Sequence, residues 1–271
     1  MNVIDDPASV LSKCFCEKSP KRKIFLINSL NVNSEDLLNG LIKREADNVI
    51  FPRLNEVGVP DLPRLVPAKN LPKRTLMNMH GRGAFFHAIC HIEFTAINLA
   101  LDAALRFSGM PAQYYSDWLR IAQEEAAHFT MLSSHLGEIG FEYGDFDAHD
   151  GMWQLAERTA HDVVLRMALV PRVLEARGLD VTPPMIKRLE LVDDINGAAI
   201  LKRIYTDEIK HVEAGTRWFT YAARARGLQP EEAFHQAVTQ EFGTLRTNKL
   251  NWEGRRLAGF TEAELLRLSE G

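Results

Sequence analysis

The phrase Glu-x-x-His occurs twice in the 271 residues, as Glu125-Ala-Ala-His128 and as Glu208-Ile-Lys-His211. On a helix, positions i and i+3 are neighbours on one face, so each phrase sets a carboxylate beside an imidazole. Both phrases fall on apolar stripes. Glu125 lies with Trp118, Ile121, Ala122, Phe129 and Leu132; Glu208 lies with Leu201, Ile204, Tyr205, Val212 and Gly215. An ionised carboxylate in such a stripe is costly unless a counter-charge accompanies it. A divalent cation is one such counter-charge. Carboxylate-rich, imidazole-poor donor sets suit iron and manganese better than structural zinc.

A single Glu-x-x-His is common in helices, so the hypothesis needs further carboxylates. Superimposing the two phrases lays Leu119-Arg120-Ile121 over Lys202-Arg203-Ile204 and Glu124-Glu125 over Asp207-Glu208, which suggests a duplicated helical hairpin. Each hairpin should then carry one Glu on its leading helix. Glu93 is the first candidate, on a face with Phe86, Ile89, Cys90, Ala96, Ile97 and Ala100. Glu175 is the second, with an ion pair to Arg172 as its alternative role. Glu93 precedes Glu125 by 32 residues and Glu175 precedes Glu208 by 33. In this assignment Glu93 and Glu175 are terminal or bridging ligands, Glu125 and Glu208 bridge two metals, and His128 and His211 cap one metal each. Four carboxylates balance two divalent cations. Glu124 and Asp207 share faces with Asp117, Arg120 and Arg203 and read as surface groups or as hydrogen-bonding neighbours of the ligands. Tyr205 and His91 are candidate hydrogen-bonding neighbours of the centre, although a core tyrosine and a polar-face histidine are the bland alternatives. No catalytic residue is otherwise assigned.

The elements that must position these groups are helices. A long apolar helix covers GRGAFFHAICHIEFTAINLALDAALRF and places His87 and His91 on a polar, peripheral face with Thr95, Asn98 and Asp102. A second runs to Gly140, a third contains Pro171, and a fourth runs to Gly227. Pro171 is expected to free a backbone carbonyl and kink its helix near Glu175. Pro183 and Pro184 are expected to open a separate segment, MIKRLELVDD. Ser34 caps a helix predicted through SEDLLNGLIKREADNVI, and Thr261 caps a short one near the end. Residues 1–33 show no clear period. Five prolines between Phe51 and Arg74 predict an extended strap. No strand alternation is evident, so the fold class is all-α. Three parts are expected: residues 1–75 as an N-terminal extension, 76–243 as the helical bundle, and 244–271 as a tail with a short helix.

The residues in HAICHIEFTAINLALDA, GMPAQYYSDWLRIAQEEAAHF, YGDFDAHDGMW, RTAHD, LVPRVLEARGLDVTP and RIYTDEIKHV resemble the bacterial DUF455 family, over roughly residues 62–242. More widely the chain looks like the ferritin-like di-iron carboxylate superfamily, whose bundles draw a Glu from each of two helices and a Glu-x-x-His from each of the others. The order of ligands is also similar to that of the tRNA-modifying non-haem di-iron monooxygenases. The resemblance implies a ferritin-like four-helix bundle with extra flanking helices and two Fe (or Mn) ions, and no particular reaction. His149 and His161, in family-like loops, are left without a role; either could cap a helix or line a substrate mouth.

The functional expectation is an O₂-activating oxidoreductase, a hydroxylase or oxidase of a small-molecule or macromolecular substrate that the sequence does not identify. Iron storage or detoxification, and a non-catalytic metal-stabilised adaptor, are the alternatives. No flavin, nicotinamide or iron–sulfur motif is evident, so an oxygenase would draw electrons from a separate protein. Residues 1–75 hold 12 Lys/Arg against 9 Asp/Glu, leaving 20 against 27 in the rest. The acidic body argues against nucleic acid as a partner. Lys18 to Lys23 is a basic stretch that reads as a solvated tail or, alternatively, a phosphate contact. No run reaches the roughly 18 uncharged apolar residues of a membrane span. Three cysteines, two of them in Cys14-Phe15-Cys16, make no disulfide framework and suggest a reducing, cytoplasmic setting. A homodimer is compatible with all of this.

Overall fold

A computed structural model describes residues 7–43, 54–72, 74–243 and 249–270. The chain is an all-α helical bundle; among the described residues no strand occurs. Contacts divide it into two units, residues 1–153 and 154–271. Composition changes near residues 75 and 243, whereas contacts change at 153.

The first unit is built on a hairpin of α4 (Met79–Arg106) and α5 (Ala112–Glu138). Asn78 starts α4 by accepting a hydrogen bond from the Gly81 N–H, satisfying one of the orphan donors of the first turn. Pro111 stands just before α5, and Gly140 at φ 85° lets the chain turn away after it. The apolar seam buries Phe86, Phe94, Ile97 and Leu101 from α4 and Leu119, Phe129, Leu132 and Leu136 from α5. Each such side chain contributes roughly 1.5–3 kcal/mol when fully removed from water. By length and composition α4 could cross a membrane, but most of its apolar stretch is buried inside the protein, as in a core helix.

Residues 7–33 are more ordered than their pattern suggests. They form α1 (Pro7–Cys16) and α2 (Pro20–Asn28), with α3 (Glu35–Ile42) following behind its expected Ser34 cap. Ala8, Leu11, Cys14 and Phe15 of α1 are buried at helical spacing, too short a run to stand out by itself. α1 packs on α4, and α2 and α3 pack on α5. Lys23 is not part of a solvated tail: it is wholly buried, and its Nζ donates to Phe15 O (2.8 Å) and Asn98 Oδ1 (2.6 Å). The continuation of the Ser34 helix beyond residue 43 lies outside the described residues. The described strap, from residue 54, is extended in part, and it pairs with the loop after α5. Val66 N–H donates to Ala148 O, Ala148 N–H donates to Arg64 O, and Arg64 grips Asp147 with two hydrogen bonds.

In the second unit α7 (Val163–Leu169), a π-helical turn (Val170–Glu175) and α8 (Ala176–Glu190) follow α6 (Gly151–Arg158) and run as one bent rod against α9 (Ile195–Ala225). Asp162 caps α7 and Asp194 caps α9. Pro183 and Pro184 lie inside α8 instead of opening a new segment. The reason is visible at Leu179, four residues before Pro183. Its carbonyl, deprived of the proline's missing N–H, accepts from Asn251 Nδ2 at 3.0 Å. α10 (Pro230–Phe242), α11 (Trp252–Leu257) and α12 (Glu262–Glu270) complete the unit. Thr261 and Glu264 form a reciprocal capping box at α12, as the Thr261 cap predicts.

Candidate metal centre

The first half of the candidate centre is the α4–α5 seam. Glu93 on α4 and Glu125 and His128 on α5 are 5, 2 and 1 % exposed. His128 Nδ1 lies 3.1 Å from Glu93 Oε2 and 3.2 Å from Glu125 Oε2. One donor atom from each of the three lies within 4.8 Å of the others. Three helical positions, Glu93 from one helix and an i, i+3 pair from the other, therefore converge as the spacing predicts.

The electrostatics of this cluster are those of carboxylates buried beside one another and beside an imidazole. Burial and then the neighbouring Glu125 charge push the Glu93 carboxyl well above the usual carboxylate range. Burial alone would lower His128, but hydrogen bonds and charge from Glu125 and Glu93 outweigh it and hold the imidazole up to about 11. With its hydrogen on Nδ1, the ring is placed to donate to either carboxylate oxygen. Exchanging that proton for a metal ion keeps the same three donors, so these residues fit a hard or borderline divalent cation.

The second half lies in the second unit. His211 Nδ1 is 3.4 Å from Glu208 Oε2 on α9, with His211 buried and the Glu208 side chain 13 % exposed. Glu175 is half-buried and ends the π-turn, so the bend expected near Pro171 takes the form of an extra residue in the helix. Gly215 allows α9 to approach that turn, because a Cβ there would overlap the Pro171 ring. A Cβ at Gly178 would meet Glu208 Cγ at an ordinary 3.7 Å, so α8 passes beside the Glu208 side chain. Arg172 is not the partner of Glu175: it is buried and takes two 2.8 Å hydrogen bonds to Glu264 of α12.

The remaining candidates divide. Tyr205 OH accepts from Asn251 Nδ2 at 2.8 Å and so ties α9 to the C-terminal segment. His91 and His87 are buried, not peripheral, because the loop 141–150 covers that face of α4. His91 Nδ1 meets Tyr143 OH at 2.9 Å, and His87 Nε2 accepts from Gly144 N–H at 3.0 Å. Burial, the first of its causes, brings each of these imidazoles down to about 4. His149 Nδ1 accepts from Gly151 N–H, whereas His161 shows no part in either half. Asp207 is buried but paired with Arg203 and Lys210, which leaves it outside the ligand set. The three cysteines are free, Cys14 and Cys90 buried and Cys16 exposed.

A family model described as "Protein of unknown function (DUF455)" matches residues 16–266, a wider span than the resemblance noted in the sequence. A protein of Haemophilus influenzae described as "Uncharacterized protein" is 42% identical over 254 residues, 91% of this chain and 88% of its own length. No solved structure matches. With the family model spanning most of the residues, including the N-terminal helices α2 and α3 and both halves of the candidate centre, the chain belongs to the DUF455 family.

Proposed function

We propose that the protein holds two iron or manganese ions, with Glu93, Glu125 and His128 as ligands in the first unit and Glu175, Glu208 and His211 as ligands in the second. The observation that carries this reading is the buried triad of the first half. Two carboxylates and an imidazole, all nearly sealed from water, lie within hydrogen-bonding distance of one another, where a cation would neutralise the carboxylates. The repeated Glu-x-x-His and the equivalent spacing to a leading-helix Glu extend the reading to the second half.

Such a metal pair, when bound, supplies two-electron reduction of O₂, and the protein is then an oxidase or hydroxylase of an organic substrate. What the chain itself contributes is orientation and exclusion of water. The α4–α5 seam holds Glu93, Glu125 and His128 on regular helices, while the π-turn offers Glu175 from a segment whose register is shifted by one residue. Electrons would come from a separate donor protein. Reduced thiols and the mostly buried α4 support a cytoplasmic setting.

The test is element-resolved metal analysis of protein purified without added metal, beside Glu125→Ala and Glu208→Ala. Stoichiometric iron or manganese in the native chain, lost in both variants with helicity kept, is the expected result. Full occupancy in the variants, or no metal in the native chain, sinks the reading. Oxygen uptake by the reduced, metal-loaded protein then separates an oxidase or hydroxylase from an inert metal-stabilised fold.

A further inference from the structure

On the outer face of α4, away from Glu93, a cavity of about 50 Å³ is enclosed by the loop 141–150 and residues before α4. Its polar lining is Arg74, His91, Thr95 and His149, and its apolar lining includes Ile92 and Met152. A water needs about 10–15 Å³ of such space, so the cavity holds several waters or one small oxyanion.

The hydrogen bonds around this cavity bear on which ring nitrogens of its two histidines carry hydrogen. His149 Nδ1 accepts from the Gly151 N–H, so in the neutral ring the hydrogen is on Nε2. Tyr143 has its phenol pushed far above its ordinary value by burial, and so keeps its O–H. With that O–H donated to His91 Nδ1, at 2.9 Å, the His91 hydrogen would lie on Nε2. His91 Nε2 is buried with no hydrogen-bond partner; the His149 backbone favours its protonated form without making a well-formed bond. Thr95 has already spent its hydroxyl hydrogen on His91 O. Arg74 is exposed and adds a guanidinium. The neighbouring acid, Asp150, is not among the residues around this cavity; it lines a second one of about 60 Å³ that His91 and Thr95 also border.

We propose that this cavity is an oxyanion-binding site, with Arg74, His91 Nε2–H and His149 Nε2–H donating to a phosphate-sized anion. Two N–H donors and a guanidinium around one small space disfavour a metal ion, which would need the ring nitrogens as acceptors. They match a tetrahedral oxyanion, to which Arg adds planar, charge-assisted hydrogen bonds. An imidazole with its hydrogen on Nε2 is a sufficient donor at each position, so the geometry asks for no added charge on either ring. The site stands on residues apart from the six proposed metal ligands and is independent of the reading above.

The probe is inorganic phosphate, titrated into the full-length protein by calorimetry and by thermal melting against chloride at matched ionic strength. Saturable binding with a raised melting midpoint is expected for phosphate and not for chloride. Arg74→Gln and His149→Ala, both at exposed positions that should leave folding intact, should each weaken binding about tenfold or more. Phosphate can also ligate iron, so the titration is repeated after chelation. Unchanged affinity is expected; binding that disappears with the metal would put the anion on the metal and overturn the proposal. Equal stabilisation by chloride, absence of saturable binding, or undiminished affinity in both variants would overturn it as well.

Discussion

Each half of the molecule rests on a buried cation under aromatic rings, and the two are handled differently. In the first unit Lys23 joins α2 to α4, the helix that carries Glu93; its Nζ is bound by two neutral oxygens, with the Phe94 ring 5.6 Å away. In the second unit Arg172 joins the π-turn carrying Glu175 to α12; its guanidinium sits over Phe219, Phe234 and Phe260 and is paired with a carboxylate. The lysine lacks a carboxylate at hydrogen-bonding distance among the described residues, and burial brings it down to about 7. The arginine stays charged because Glu264 accompanies it into the core. One buttress should therefore feel pH and the other should not.

The sharpest way to break that contrast is to remove the carboxylate. Glu264→Gln leaves Arg172 buried and uncompensated and also disturbs the α12 capping box, so a loss of about 3–5 kcal/mol in denaturant unfolding is expected. Replacing both partners together by Met and Leu should restore most of it. If the single variant loses less than about 1 kcal/mol, the pair is not a buttress in the sense of a buried ion pair. The next largest effect tests the turn itself. Gly215→Ala forces a methyl into the Pro171 ring and should cost about 3 kcal/mol, at the upper end for overpacking. If the π-turn sets Glu175, the same variant lowers metal occupancy; stability loss without metal loss would separate the turn from the site.

How far these features could be read in the sequence depended on which interactions carry them. The Glu93–Glu125–His128 cluster was legible because it is a local matter: an i, i+3 pair and a Glu on an apolar helical face, both set by helix geometry. The helical character of residues 79–225 was legible from periodicity for the same reason. Arg172–Glu264 was not, since 92 residues separate the partners and nothing in either segment points to the other. Lys23 hid inside a basic stretch whose composition argues for solvent. His87 and His91 were misjudged as peripheral because their cover, the loop 141–150, has no periodicity of its own. Pro183 and Pro184 looked like a helix boundary, and only the distant Asn251 explains why they are not. Each miss is a tertiary partner overriding a sound local rule.

The lysine gives the third test of the contrast. Its folded value is depressed to about 7 from an ordinary 10.5, so above pH 7 the unfolded chain binds more protons than the folded one. Stability contributed through this group therefore rises as pH increases from about 7 towards 10.5, by about 2 kcal/mol between pH 7 and 9. Lys23→Met should flatten that part of the profile, whereas Arg172→Met should leave it in place. A profile equally steep with and without Lys23 would mean the amine is not the titrating group.

The smallest effect separates the metal-bound from the metal-free state of the first half-site. In the metal-free chain Glu93 is buried against Glu125, and its carboxyl is held towards the neutral form. Glu93→Gln keeps the shape while removing a carboxyl whose ionisation is disfavoured there by burial and by Glu125. The chelated variant should consequently be more stable than the chelated native protein, by about 1 kcal/mol. With metal present the order should reverse, because the native chain gains the linkage energy of bound metal and the variant, short of one ligand charge, does not. Unfolding curves for both proteins with and without chelator measure this crossing directly. Parallel shifts in both conditions would mean that Glu93 serves the packing of the α4–α5 seam and not a cation within it.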